Sequence, residues 1–183
     1  MAHPRPDRFF SMIFIGTGLI ALGAVLFMAV APKADAQEYS TVPVEIEFPA
    51  PSLVLRDLQG NSASLEERRG SVVLVNLWAT WCPPCKAEMP ALQAFYEKYR
   101  DDGFVIIGIN DGEPLELVAS FAGEYGLTFP IWLDEAYRTE RAFGTISLPS
   151  SYVIDRQGIV RLMWIGAISN KNLEKYVTPM IKE

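Results

Sequence analysis

Asn76-Leu77-Trp78-Ala79-Thr80-Trp81-Cys82-Pro83-Pro84-Cys85-Lys86-Ala87-Glu88-Met89-Pro90 contains both cysteines of the chain, separated by a pair of prolines. An apolar run, residues 72–78, leads in, and Met89, Leu92, Phe95, Tyr96 and Tyr99 recur at helical spacing after it. A strand that ends on a Cys-x-x-Cys opening a helix makes a thiol reactive, because the positive end of the helix favours thiolate. The first cysteine takes the cap position, where its thiol is expected to be exposed, and the second lies shielded a turn further in. Cys82 is therefore the candidate nucleophile and Cys85 the resolving thiol. Pro83 and Pro84 fill the first helical positions without supplying an N–H, so the remaining donor to Cys82 is the backbone of Cys85. That limits how far the thiolate is held. An inert disulfide is the bland alternative; Trp81, the prolines and the strand-to-helix placement weigh against it.

The rest of the composition narrows the chemistry. A net charge of −6 and the absence of a basic run exclude nucleic acid as a partner. Two cysteines permit one pair and no disulfide framework. The single histidine, His3, precedes a long apolar segment, which removes a Cys-His catalytic pair and a four-ligand zinc site. No metal or cofactor is expected.

At 183 residues the chain has room for one domain plus appendages. Residues 1–8 carry Arg5 and Arg8, and residues 9–31 run without a charge. As a helix that run would extend roughly 35 Å, enough to cross a bilayer. The preceding arginines favour a cytoplasmic N-terminus, which puts the remainder outside. Ala34-Asp35-Ala36 has the form of a signal-peptide cleavage site, but the apolar run is longer than such peptides use. A retained anchor is the preferred reading, and both readings export the domain. Residues 32–47 read as a linker, and residues 48–183 as the domain.

Within the domain, residues 53–55 suggest a first strand, 57–61 a turn, and 64–67 a short helical start capped by Ser64. Residues 71–79 and 104–109 read as buried strands, and 129–133 as a short one. Helices are expected to follow Cys82, with a kink at Pro90, and over 114–125, 135–143 and 172–181. Residues 151–155 and 159–164 form a hairpin around Arg156-Gln157-Gly158. Strands alternating with helices, then a hairpin and a helix, give an α/β fold with a central mixed sheet flanked by helices.

Trp81-Cys82-Pro83-Pro84-Cys85-Lys86 behind a Val-rich strand resembles the thioredoxin superfamily. Glu88-Met89-Pro90, the additional strand–helix unit near 104–126, Leu148-Pro149-Ser150-Ser151-Tyr152-Val153-Ile154-Asp155 and the N-terminal apolar segment resemble its membrane-anchored TlpA/ResA branch. The resemblance covers about residues 48–181 and implies a thioredoxin-like fold with an extra strand–helix insertion and a transmembrane helix. It implies that Pro149 is the cis-proline facing the cysteines, with Leu148 and Trp81 beside a bound client. It also implies that Glu88 shuttles the Cys85 proton; the alternative is a first-turn glutamate complementing the helix dipole. Where thioredoxins carry a buried Asp, this chain has Asn76, which cannot titrate.

The expected function is thiol–disulfide exchange outside the cytoplasm, reducing disulfides in partner proteins. The resemblance implies apocytochrome c or a copper-site assembly protein as clients, and an upstream membrane thiol reductant. A disulfide-forming oxidant is the nearest rival. Thiol peroxidases share the fold, but Ala79 stands three residues before Cys82, where they carry Thr or Ser. A copper chaperone would have to manage without a histidine in the domain.

Overall fold

The structure, a computed structural model, describes residues 42–183. The expected anchor over 9–31, the N-terminal residues 1–8 and the cleavage-like Ala34-Asp35-Ala36 lie outside the described residues. Among those described, no helix is long and apolar enough to cross a membrane.

The strand entering the cysteine motif, β4 (Val72–Trp78), is the centre of the molecule, and all its residues are buried. Successive side chains point to opposite faces. Leu74 and Trp78 join one apolar cluster, Val73, Val75 and Leu77 the other. Asn76 falls on the same face as Leu74 and Trp78, a polar residue in an otherwise hydrocarbon strand.

Seven further strands flank β4: β1 (Val44–Pro49), β2 (Val54–Asp57), β3 (Ser62–Ser64), β5 (Phe104–Asp111), β6 (Ile131–Asp134), β7 (Ser150–Ile154) and β8 (Ile159–Ile165). The sheet order is β1-β8-β7-β4-β5-β6-β2-β3. β4 runs parallel to β5, with Trp78 opposite Asn110, and antiparallel to β7, with Leu77 opposite Ser150. The carboxyl ends of β4 and β5 and the start of β7 therefore meet at one edge.

Helix α1 (Pro83–Tyr99) lays Met89, Leu92 and Phe95 on the first cluster, and α2 (Leu115–Glu124) adds Val118, Phe121 and Ala122. The Trp78 and Phe121 rings meet at 4.9 Å. α3 (Arg138–Phe143) contributes Phe143 to the opposite cluster, while α4 (Asn170–Tyr176) and α5 (Thr178–Lys182) return Leu173 and Ile181 to the first.

Several boundaries differ from the sequence expectation. The linker expected through residue 47 is in part a strand: β1 pairs antiparallel with β8, and Arg161 reaches Glu47 at 2.8 Å. The short helical start expected over 64–67 is a single 3-10 turn, Glu66–Arg68; Ser64 closes β3, and its Oγ accepts the Glu66 N–H at 3.3 Å. The helix expected from 135 begins at Arg138, because the Asp134 carboxylate accepts the N–H groups of Arg138 at 3.0 Å and Thr139 at 2.6 Å. The final helix breaks between α4 and α5, where Pro179 cannot donate. α1 runs on through Pro90.

Candidate active site

After β4, Ala79 and Thr80 turn the chain, and Cys82 occupies the cap of α1 in an extended conformation. Its N–H donates to the Ala79 carbonyl at 3.2 Å, and its carbonyl accepts from Lys86 at 3.1 Å. Pro83 and Pro84 take the first helical positions. The Cys85 N–H donates to Cys82 Sγ at 3.3 Å, the single backbone donor foreseen from the prolines. The two sulfurs are joined in a disulfide. In one respect the expectation is corrected: Cys82 is only 3% exposed, against 0% for Cys85. Bonded to Cys85 inside the first turn, it packs in the same apolar cluster as Met89 and Trp78. Access still ranks Cys82 ahead of Cys85, by a narrow margin. Trp81 stands beside it 66% exposed.

The peptide between Leu148 and Pro149 is cis. The Pro149 carbonyl accepts from Gly166 N–H at 2.8 Å, and β7 begins at the next residue. Since Ser150 pairs with Leu77, Pro149 lies beside the end of β4 from which the cysteine loop departs. The loop before it is held by hydroxyls: Ser150 Oγ donates to the Ser147 carbonyl at 2.6 Å and contacts Thr145 Oγ1 at 3.0 Å. Leu148 is half-buried against both clusters. Ile146 is 87% exposed.

Glu88 is fully buried on α1, one turn beyond Cys85. It is the sixth residue of the helix counted from Pro83, so the reading as a first-turn dipole partner fails. Burial pushes its carboxyl up from 4.5 to about 8, against the opposing pull of two donated hydrogen bonds. These come from Asn76 Nδ2 to Oε1 and from Ile168 N–H to Oε2, both at 2.8 Å. Asn76 Nδ2 also donates to Ser151 Oγ at 2.9 Å. A carboxyl titrating close to the ordinary thiol value of about 8.5 can exchange a proton with a cysteine at small cost.

Sequence reasoning missed a second carboxylate. Glu113, in the loop after β5, accepts the Thr80 N–H at 2.6 Å and the Thr80 hydroxyl, and Asn110 Nδ2 at 2.8 Å. It clamps the turn between β4 and Cys82. The signal that could have found it is topological: loops at the carboxyl ends of adjacent parallel strands converge. Ser151 and the backbone of Ile168 were likewise unforeseen. Lys86, the residue after the motif, is exposed.

A family model described as the AhpC/TSA family matches residues 46–163. The chain belongs to that family. Within the thioredoxin superfamily it is similar to the thiol-disulfide oxidoreductase ResA of Geobacillus kaustophilus, 37% identical over 134 residues, covering 73% of this chain and 77% of that protein. The ResA of Bacillus anthracis is 36% identical over 134 residues, covering 73% and 78%. Among solved structures, a thiol:disulfide interchange protein of the thioredoxin family from Chlorobium tepidum superposes with a TM-score of 0.68 at 29% identity, covering 75% of this chain and 99% of that one. StoA from Bacillus subtilis gives 0.60 at 26%, covering 73% and 98%. The thioredoxin-like fold and the thiol–disulfide oxidoreductase activity expected from the sequence are both supported by these relatives. The chain is a thiol–disulfide oxidoreductase of the ResA-like type.

Proposed function

We propose that this oxidoreductase works as a reductant of disulfides in partner proteins outside the cytoplasm. The observation that carries the direction is the cap of α1: Cys82 Sγ receives one backbone N–H, at 3.3 Å, because two prolines follow it. Fewer donors mean a less stabilised thiolate, and a less stabilised thiolate makes the reduced pair a better electron donor.

In the reduced protein the Cys82 thiolate attacks a client disulfide, forming a mixed disulfide and expelling one client thiolate. Cys85 then loses its proton to Glu88 in its ionised form, which is the minority form below about pH 8. The Cys85 thiolate attacks Cys82 Sγ, closing the Cys82–Cys85 bond and releasing the second client thiolate. Two electrons pass from the pair to the client. Cys85 and Glu88, three residues apart on α1, share a helix face. Trp81, Leu148 and Pro149 are the proposed client contacts, with the cis-proline presenting backbone to an extended segment.

The deciding measurement is the Cys82–Cys85 reduction potential against glutathione. A value near the reducing end of the fold's span, about −270 mV, is expected; one near about −120 mV would make the protein an oxidant. The clients, following the family resemblance, are apocytochrome c or a copper-site assembly protein, with a membrane thiol reductant upstream. A Cys85→Ser variant would trap them as mixed disulfides, and recovery of neither class sinks that assignment. The anchor over residues 9–31 is tested by washing membranes without detergent; release of a chain starting near Gln37 argues for cleavage.

A further inference from the structure

We propose that Asn76 is a positioning residue whose side-chain amide turns over when Glu88 takes up a proton, so that the proton is held between the Glu88 carboxyl and Asn76 Oδ1. As far as function is concerned, this rests on the reading of Glu88 as the proton acceptor for Cys85.

The argument is a count of donors and acceptors around a fully buried group. Glu88 Oε1 faces Asn76 Nδ2, and Oε2 faces the Ile168 N–H, both at 2.8 Å. Both partners are donors with no lone pair to offer. That arrangement suits an ionised carboxylate. It leaves a protonated one with an O–H that has nothing to donate to, and a buried unmade hydrogen bond is costly. The missing acceptor is next door: Asn76 Oδ1 is buried and has no hydrogen-bond partner. The two ends of an amide have nearly the same shape, so a half-turn about Cβ–Cγ exchanges them without repacking. Oδ1 then occupies the place of Nδ2, 2.8 Å from Glu88 Oε1 and 2.9 Å from Ser151 Oγ. There it accepts the Glu88 O–H, Ser151 changes from acceptor to donor, and Nδ2, moved to the place of Oδ1, is the one group left without a partner, in exchange for the O–H and the Oδ1 that both lacked one before. A hydroxyl can make that change freely, which fits Ser151 as the third member.

Glu88 is hydrogen-bonded to Asn76 from β4 and to the backbone of Ile168; Ser151 from β7 joins through Asn76, and Cys85 stands one turn earlier on the same helix. Its raised proton affinity comes from burial opposed by the Asn76 and Ile168 hydrogen bonds, with no charged side chain contributing. The carboxyl and the amide therefore answer mainly to each other. During turnover the exchange balances as Cys85–SH plus Glu88–COO⁻ giving Cys85–S⁻ plus Glu88–COOH, with the amide following the proton.

The test is nuclear magnetic resonance on the labelled full-length oxidised chain, following Glu88 Cδ and the Asn76 Nδ2H₂ group between about pH 5 and about pH 10. Both should titrate with one midpoint, the amide protons moving upfield on acidification as they lose their acceptors. An amide that stays still while Glu88 titrates overturns the proposal, as does a Glu88 carboxyl with no midpoint in that range. Asn76→Asp supplies an acceptor that needs no turnover. It should raise the proton affinity of Glu88 at least tenfold and shift the pH profile of thiol exchange; an unshifted profile in a folded variant counts against the proposal. Glu88→Gln with an unchanged exchange rate would remove the proton-transfer reading alone, because the resonance test reads protonation and not turnover.

Discussion

Replacing Glu88 by Gln should change how stability depends on pH. The unfolded carboxyl titrates near 4.5 and the buried one near 8. Between those values the unfolded chain has lost the proton and the native chain still holds it, so stability falls as pH rises through the window. At 1.36 kcal/mol per pH unit, the fall totals about 5 kcal/mol from one side of the window to the other, an order-of-magnitude figure. Glutamine keeps the shape and cannot titrate. It leaves one of the two donors, Asn76 Nδ2 or Ile168 N–H, short of an acceptor, and that cost does not vary with pH. The assay is urea unfolding of the oxidised protein and the variant at about pH 5, about pH 7 and about pH 9, with equal m-values as the control. The variant should be the less stable protein at the acid end and gain steadily on the wild type toward the alkaline end. Parallel stability curves would refute the buried, proton-holding Glu88 on which the site is built.

Three further substitutions separate roles. Glu113→Gln weakens the acceptor for the Thr80 N–H and hydroxyl, and should slow disulfide exchange several-fold while costing about 1–2 kcal/mol of stability; unaltered kinetics would show that the clamp does not position Cys82. Trp81→Ala should slow reaction with protein disulfides and leave reduction by a small dithiol unchanged, since the indole is exposed and makes no part of the bond; equal slowing of both would remove it as a client contact. Arg156→Lys should cost about 2 kcal/mol in thermal or chemical unfolding, because a point charge cannot serve the Gly70 and Ile181 carbonyls that the guanidinium reaches at 2.9 Å. Its reduction potential should not move.

The order of strands and helices around β4 was legible because that strand is apolar on both faces and α1 keeps helical spacing. The disulfide pair was legible from two cysteines at a helix start, and Pro149 through family resemblance. β1 was passed over although Val44-Glu45-Ile46-Glu47-Phe48 alternates as an edge strand does; the prolines on either side, Pro43 and Pro49, made the stretch read as linker. The start of α3 was misjudged because its first N–H groups are received by Asp134, a carboxylate that arrives from the end of β6 and skips the residues between. Glu113 was invisible for a similar reason: what it does depends on β4 and β5 lying side by side. The burial of Glu88 could not be told from its neighbours, since a glutamate one turn past the cysteines serves equally well on a wet face. The exposure of Cys82 was overrated because the sequence does not show how closely a two-proline bridge folds the sulfur back onto the helix.

The guanidinium of Arg156 has a consequence for how the molecule moves. It sits in the turn between β7 and β8 and also meets the carbonyls of Asp102 at 3.4 Å and Gly103 at 3.5 Å. Those carbonyls, with Gly70 and Ile181, belong to the chain entering β4, the chain entering β5 and the last helix. One side chain thus fastens the sheet at the end remote from the sulfurs, while the cysteine end is tied by hydroxyls and carboxylates on short loops. Local opening should be lopsided. Amides around Val72 and Gly103 should exchange with solvent only when the whole domain unfolds, and those of residues 145–149 through far cheaper excursions. The chemistry is placed at the end of the sheet that can yield to a partner without loosening the other.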